Sequence, residues 1–377
     1  MDLDVLHVFP SFAPGGIQMR LKAITASLPQ TWSHTVVALD GDYSAFDTPG
    51  WSSRVSPTAA ALPQVSERGL VGRLRAIAQW LQRQNPDVLI SNNWGAIEWG
   101  AATNFVRGLG HIHTESGFGS DEAFTLNPKR GWFRRIALQR SDSILLCSQT
   151  LVKIAREQWR LPEHKTQFLP DGIDLQRFCV DTATPMDLNL ESGRVVIGCV
   201  APLRAEKNLT ALLEAFDQAW QRNHSLFLAV AGDGPEQSML EAYAATLASS
   251  ASIRFYGFLS HIERFFKAID LCALSSDTEQ LPNSVLQGMA MGLPIAAFAV
   301  GDIPLMTAPE NRPYLPPRRD VAGLAAAFTA LASDARKRDE VGAANKTKCA
   351  STYSQAQMAQ AYKIVIEHAL RRMRLAA

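Results

Sequence analysis

The sequence is short of several things, and each shortage closes a class of function. It has five cysteines in 377 residues (Cys147, Cys179, Cys199, Cys272, Cys349), an odd number, scattered and without a C-x-x-C pair. That pattern argues against a disulfide framework and a zinc site and fits free thiols in a reducing cytosol. No apolar run approaches the ~18 residues of a membrane span. The opening "MDLDVLHVFP" is acidic and lacks the charged n-region and long apolar h-region of a signal peptide. Neither charge sign prevails: the formal net charge is +1 and both halves of the chain are balanced. No global field therefore favours nucleic acid, which is not expected as a partner. Short repeats and low-complexity tracts are absent as well.

What is present is a globular composition, 47% hydrophobic and 19% charged, in a chain long enough for two domains. Short apolar runs alternate with helical patterns. "DVLHVF" (4–9) precedes a helix with Ile17, Leu21, Ile24 and Leu28 on one face; "HTVVALD", "DVLISNN", "HIHTE" and "SILLCS" continue the series. The alternation restarts with "RVVIGCV" (194–200), "SLFLAVAGDG", "IRFYGF" and "LCALSS". Such alternation implies parallel sheets with helices on both faces, an α/β class with two doubly wound domains. The polar, turn-rich stretch at 177–193 suits a linker, and 41–68 suits a mobile flap. The expected division is 1–177, 178–353, and a terminal helix 354–377 packing back on the first domain.

In doubly wound domains ligands sit at the carboxyl ends of the strands, and polar and glycine signals collect there. Gly15 and Gly16 in "PSFAPGGIQMR" follow the first strand; they permit close approach to a phosphate or an acceptor, or make only a tight turn. The pair is not part of a G-x-G-x-x-G. Arg204 and Lys207 in "APLRAEKN" form a plausible diphosphate clamp or a solvated loop. "AGDGPE" (231–236) is another glycine turn. In "HIHTESG", His113 could bond a sugar or position a leaving group, or be a packed strand residue. The stretch "SSDTEQLPNSVLQGMAMGLP" (275–294) places Glu279 on a loop and Gln287 in the next helix, with Pro282 at its first position. The free N–H groups of Asn283, Ser284 and Val285 at that helix start suit a phosphate. A ligand with a central phosphate and hydroxyl-bearing ends, as in a nucleotide sugar, matches this layout. An ordinary strand–loop–helix connection matches it too.

Together these segments resemble glycosyltransferase family 4, retaining enzymes of the GT-B fold. "LPDGIDLQRF" is similar to its interdomain signature, "APLRAEKN" to its arginine–lysine clamp, "DTEQLPNSVLQGMAMGLPIAAFAVGDI" to its E-x7-E region, and "PGGIQ" to its N-terminal glycine loop. The resemblance implies two Rossmann-like domains facing an interdomain cleft, the first for the acceptor and the second for a nucleoside-diphosphate sugar based on UDP or GDP. It implies that Glu279 contacts the hexose and, with His113, is a catalytic candidate. Arg204, Lys207, Gly16 and the backbone at Ser284 and Val285 would hold the diphosphate. Gln287 would meet the ribose, and Gly15, Gln18 and Ser116 would belong to the acceptor side. No cofactor and no metal are implied; "DLD" (2–4) lies at the amino end of its strand. Two departures stand out. Gln287 replaces the usual second glutamate, keeping one acceptor and two donors for a diol. Ser116 stands where many relatives place a histidine.

The resemblance further implies synthesis of cell-surface polysaccharide such as lipopolysaccharide or exopolysaccharide, with a saccharide or lipid-linked acceptor. The segment "NPKRGWFRRIALQR" (127–140) joins Lys129, Arg130, Arg134, Arg135 and Arg140 to Trp132, Phe133 and Ile136. It suits a contact with an anionic membrane for a cytoplasmic, peripheral enzyme, or a solvated helix whose aromatics pack inward. Two other functions fit the same architecture: a nucleotide-sugar-binding protein without catalysis, and a sugar-nucleotide epimerase. The latter would need an acid–base carboxylate pair that the sequence does not offer.

Overall fold

The computed structural model describes residues 2–65, 67–118, 122, 125–179 and 183–376. Two compact units divide the chain: Met1–Gly172 with Gln355–Ala377, and Ile173–Ser354. The first division falls five residues before the expected 177/178.

The first unit is built on seven parallel strands: β1 (Leu3–Phe9), β2 (Trp32–Ala38), β3 (Val55–Pro57), β4 (Val88–Asn92), β5 (Gly110–Glu115), β6 (Ser143–Leu146) and β7 (Thr166–Phe168). Their spatial order is β3-β2-β1-β4-β5-β6-β7. Every residue of β4, β5 and β6 is buried, as expected for strands covered on both faces. The helix Gln355–Ala376 belongs to this unit. Met358, Tyr362, Val365, Ile366 and Ala369 join Val5, Val88, Ile90 and Ile112 in one apolar core. Each fully buried Val, Ile or Met side chain among them contributes about 1.5–3 kcal/mol. Asp171 of the "LPDGID" segment is ion-paired with buried Arg20 at 2.8 Å.

The second unit has five parallel strands: β8 (Val195–Val200), β9 (Leu226–Ala231), β10 (Ile253–Phe255), β11 (Leu271–Leu274) and β12 (Ile295–Ala297), ordered β10-β9-β8-β11-β12. In both sheets the winding reverses once. The switch point lies between β1 and β4 in the first unit and between β8 and β11 in the second. Crevices at such reversals are where this architecture binds ligands.

Two expectations are corrected. Residues 180–182 of the presumed linker lie outside the described residues, but what flanks them is packed, not free. Phe178 is buried against Phe266, the Met186 N–H donates to the Arg264 carbonyl at 2.8 Å, and Leu188 is buried with its carbonyl taken by Arg254. The stretch 41–68 is likewise built in, apart from Ser66, which is outside the described residues. It contributes β3, and Phe46 and Trp51 pack their rings on Phe12. Aromatic side chains in a turn-rich segment found an apolar surface to cover, and this overrode the local composition. Four cysteines are buried and Cys179 is half-buried, all as free thiols. Burial pushes Cys199 and Cys349 up to about 12, so these two are chemically quiet.

Candidate active site

At the switch point of the second unit, the loops after β8 and β11 are tied together. Ser275 Oγ donates to the carbonyls of Lys207 and Asn208 at 3.0 and 2.9 Å. The Asp277 N–H donates to the Glu206 carbonyl at 2.9 Å. Across this seam Lys207 Nζ meets Glu279 Oε1 at 2.5 Å, with both side chains largely buried. Ser276 Oγ donates to the same carboxylate oxygen at 2.7 Å. Glu279 is therefore held by a cation and a hydroxyl, its second oxygen not engaged by either. Gly301 completes the loop. At φ +53 it packs so close that a Cβ would collide with the Glu279 carbonyl oxygen, a backbone geometry that glycine tolerates best.

Asp277 is buried beside this pair. Arg319 grips it with Nε and a terminal nitrogen at 2.8 and 2.6 Å, and Arg318 Nε adds a bond at 3.3 Å. Burial alone would raise its pKa; the hydrogen bonds from Arg319 and Arg318 outweigh that and hold the carboxyl below its usual range. Arg204 is exposed at the mouth of the loop, and among the described residues its guanidinium takes no partner.

The helix Asn283–Ala290 begins one residue later than the sequence reading placed it, with Pro282 as its N-cap. This corrects the phosphate site. The Val285 N–H donates to the Pro282 carbonyl at 3.1 Å, and the Val285 side chain is wholly buried. The N–H groups of Asn283 and Ser284 remain at the helix end. Gln287, half-buried, sits one turn in.

At the switch point of the first unit lies a cavity of about 450 Å³. Pro10, Ile17, Trp94 and Phe118 supply its apolar wall, and Asn93, Ser116, Glu122, Arg130 and Arg134 its polar one. Asn93 follows β4 with φ 56 and ψ 179, a conformation costly for any residue but glycine. Its Oδ1 accepts the Ser116 N–H at 2.8 Å. Arg134 is 1% exposed. It donates to Glu115 Oε2 at 3.2 Å and to both oxygens of Glu122 at 3.3 and 3.1 Å. Its guanidinium lies between Trp94 and Trp159, 4.8 and 4.6 Å from their ring centres. Burial would raise the Glu122 pKa, but Arg134, the Asn127 N–H and Arg130 together hold it below the usual range.

His113 is corrected. Its side chain is 0% exposed, and it is not among the residues that line the cavity. Its Nδ1 bonds Ser91 Oγ at 2.9 Å; that hydroxyl also meets His111 Nε2 at 2.9 Å, and His111 Nδ1 meets Ser141 Oγ at 3.0 Å. A residue so enclosed is a packed strand histidine. Gly15 and Gly16 are exposed at the start of the helix Gly16–Ser27, in the first unit; of the diphosphate candidates, Gly16 alone lies there and the others lie in the second unit. Gln18 folds back, its amide donating to the Ser11 carbonyl at 2.9 Å; it braces the glycine loop. Ser116 does line the cavity.

Sequence reasoning missed Ser276, Asp277, Arg319 and Glu122; Glu115 was placed at its strand end but given no partner. Arg134 was seen, but in the wrong place. The helix Pro128–Ala137 does present a basic, apolar outer face. Trp132 is 64% and Ile136 47% exposed, beside Lys129, Arg135 and Arg140. Arg134 points the other way, into the core. Among the described residues no helix is long and apolar enough to cross a membrane.

Comparison with known proteins agrees with the geometry of both units. A family model described as glycosyl transferases group 1 matches residues 194–334, and one described as a glycosyl transferase 4-like domain matches 15–172. The 2-deoxystreptamine N-acetyl-D-glucosaminyltransferase of Streptomyces fradiae is 30% identical over 220 residues, 56% of this chain and 52% of that protein. The lipopolysaccharide core biosynthesis glycosyltransferase LpsD of Rhizobium meliloti is 28% identical over 183 residues, 48% of this chain and 50% of that one. The chain spans about half the length of the curated relatives it matches. HepE of Anabaena, solved in complex with UDP and glucose, is 18% identical, with a TM-score of 0.78 over 97% of this chain and 99% of that one. The architecture is thus GT-B, two Rossmann-like α/β domains. With one model on each unit, and most of the chain matched between them, the chain belongs to the group 1, family 4-like glycosyltransferases.

Proposed function

We propose that the chain is a retaining hexosyltransferase that moves a sugar from a nucleoside diphosphate to a saccharide acceptor. The observation that carries the reading is the Lys207–Glu279 pair at the switch point of the second unit. It sets a cation and a carboxylate beside exposed Arg204 and the N–H groups of Asn283 and Ser284. In this reading Arg204, Lys207 and that helix end take the diphosphate. Glu279 keeps an oxygen for the hexose, and Gln287 meets the ribose. The relative solved with UDP and glucose supports a uridine-linked donor.

The transfer needs no protein nucleophile. The bond from the anomeric carbon to the phosphate oxygen breaks while the acceptor oxygen bonds the same face. The acceptor proton passes to the departing phosphate. The products are a glycoside and a nucleoside diphosphate, and no metal or cofactor enters. The protein's part is charge stabilisation and alignment.

LpsD, named for lipopolysaccharide core biosynthesis, supports an acceptor in a cell-surface glycan. A lipid-linked one would be met at a bilayer, where Trp132 and Ile136, flanked by Lys129, Arg135 and Arg140, suit an anionic surface. Such a location is the cytoplasmic face of the membrane.

Thermal shift with UDP, GDP and their sugars tests the donor, because a bound ligand raises apparent stability by mass action. Arg204→Ala and Lys207→Ala are each expected to weaken nucleoside diphosphate about ten- to a hundredfold. Free nucleoside should change little. Equal losses for nucleoside and diphosphate would exclude the clamp.

A further inference from the structure

We propose that Arg319 is a positioning residue for the transfer: acting through Asp277, it sets where Glu279 stands against Lys207. The inference rests on the glycosyltransferase reading and on the hexose-side place of Glu279 within it.

Glu279 stands on its loop between two anchored neighbours. On one side the Gln280 carbonyl accepts the Asp302 N–H at 3.1 Å. On the other, two residues away, is Asp277, its side chain 6% exposed. The Asp277 N–H is given to the Glu206 carbonyl, and its carboxylate joins two further segments. Oδ1 accepts from Asn208 Nδ2, next to Lys207, at 3.4 Å. Arg319 spans both oxygens at 2.8 and 2.6 Å, whereas Arg318 adds a single longer bond at 3.3 Å. A two-pronged guanidinium fixes the plane of a carboxylate as well as its place.

The support of that fork is itself fixed. The Asp320 N–H closes a turn on the Pro317 carbonyl at 3.0 Å, and the Pro316 carbonyl accepts the Ala299 N–H at 2.8 Å. The Asp320 side chain caps the helix Val321–Ser333 by accepting the Gly323 N–H at 2.8 Å.

The second observation is the backbone of Arg319. It holds the third place of that turn at φ +64, in the left-handed region where glycine sits without strain. Its side chain is 61% exposed, so burial of apolar surface does not account for an arginine there. What a glycine would lack is the fork on Asp277. Backbone strain of this kind persists where the surroundings enforce it, and it clusters at functional sites. Without the fork, Asp277 keeps only the Arg318 bond and the Asn208 amide. The stretch 276–279 then loses the firmer of its side-chain anchors, and with it the setting of Ser276, whose hydroxyl meets Glu279 Oε1. A displacement of about 1 Å at a reacting centre lowers turnover by as much as about a hundredfold.

The experiment is steady-state release of nucleoside diphosphate by the full chain. The donors are UDP-glucose, UDP-galactose, UDP-N-acetylglucosamine and GDP-mannose, with methyl glycosides as acceptors. The temperature is one at which circular dichroism shows every variant folded. Arg319→Gly should lower kcat about ten- to a hundredfold. Its affinity for UDP or GDP by calorimetry should stay nearly unchanged, because Arg204 and the helix end at Asn283 are untouched. Arg319→Lys keeps the charge without the fork and should fall between the two. In an Asp277→Asn background, Arg319→Gly should lower kcat no further, since both changes break one contact. A merely stabilising arginine would lower the melting temperature and leave kcat of the folded protein alone. Normal turnover in Arg319→Gly, or losses that multiply in the double variant, would overturn the proposal. Glu279→Gln measured alongside separates the two readings. If it is crippled while Arg319→Gly is normal, the positioning role alone falls. If it too is normal, or if the unaltered chain turns over none of the four donors, the place of Glu279 falls and this proposal falls with it.

Discussion

The two units wind their sheets alike, reverse once, and put a site at the reversal, yet they handle charge in opposite ways. At the β8/β11 reversal an exposed arginine and a helix end with orphan N–H groups stand beside a nearly dry ion pair. Positive character is left over for an anion. At the β1/β4 reversal the charges are drawn inward and cancelled: Arg134, at the cavity wall, answers Glu115 and Glu122. Next to Glu115, at 3.6 Å from His113 Nε2, ends the chain Ser141, His111, Ser91, His113. One scaffold thus carries a site with spare charge and a site with none, and the difference comes from side chains on β5 and on the loops and helix that follow it.

The hardest way to break this contrast is to remove Arg134. Arg134→Met leaves two carboxylates, Glu115 fully buried and Glu122 nearly so, without their shared cation. Stripping one partner from a buried ionic cluster costs about 3–5 kcal/mol. The loss should stay in the first unit. Amide hydrogen exchange, read peptide by peptide, should speed up over β4, β5 and β6 and stay unchanged over β8 and β9. An equal rise in both units would mean that the cluster is not the local keystone described.

In the second unit the corresponding blow falls on chemistry and not on stability. Glu279→Gln keeps the shape and the Ser276 bond but weakens the link to Lys207. Losing an electrostatic contact made mainly in the transition state costs about 10²–10³ in turnover. Steady-state kinetics with a purified donor and acceptor should show kcat falling with little change in donor KM. Near-normal turnover would remove Glu279 from the hexose side.

How much of this could be read from the residues follows the same contrast. The second unit's site is written in two short segments, 204–207 and 275–287, because loop residues at consecutive strand ends meet through the winding rule alone. The alternation of apolar runs likewise announced both sheets. Arg319 escaped because it reaches Asp277 across 42 positions, a pairing no local pattern encodes. The first unit's site was illegible for a deeper reason. "RGWFRRIALQR" looks basic all round, and nothing in the periodicity says that Arg134 turns inward while Arg135 does not. Only the carboxylates of Glu115 and Glu122, placed by β5 and the loop beyond, make burial of that arginine affordable. His113 misled in the same way. On a strand buried on both faces, a histidine alternating with polar neighbours is core, bonded to the Ser91 hydroxyl that His111 shares.

Acid offers a milder test of the same asymmetry. His7, His34 and His111 are buried in the first unit. Burial, with the positive charge of His34, depresses His7 well below its usual value. Burial and Arg54 bring His34 to about 4, and burial, with His113 and Lys165, brings His111 to about 3. Unfolded histidines titrate near ~6.5. Below that value the unfolded chain binds more protons, so stability rises with pH and is lost as pH falls. The first unit should therefore weaken from about pH 6.5 downward. Each histidine that resists protonation costs about 1.4 kcal/mol per pH unit until its folded pKa is reached. In the second unit His224 and His261 are exposed. Its perturbed carboxylates, Asp217, Glu263 and Asp277, are depressed, so their contribution is lost only below about pH 4. At pH 5, exchange corrected for its intrinsic pH dependence should rise in β1, β2 and β5 before β8 and β9. Simultaneous loosening would refute the assignment.

The smallest expected effect sharpens the contrast within the second unit itself, between a loop carboxylate and a helix amide. Gln287 lies a turn inside the helix Asn283–Ala290, half-buried, whereas Glu279 sits on the loop with its carboxylate clamped by Lys207 and Ser276. If Gln287 meets the ribose, its partner hydroxyls are far from the anomeric carbon. Either an amide or a carboxylate oxygen can accept there. The gain from an ionised acceptor is on the order of 1 kcal/mol. A contact equally strong in ground and transition states lowers KM without touching the chemical step. Gln287→Glu is therefore expected to stay active, with donor KM shifted by less than about tenfold and kcat nearly unchanged. Paired with Glu279→Gln, it makes the same chemical exchange in opposite directions eight residues apart. Two crippled variants, or two harmless ones, would abolish the division between a hexose-side carboxylate and a ribose-side amide. One of each would establish it.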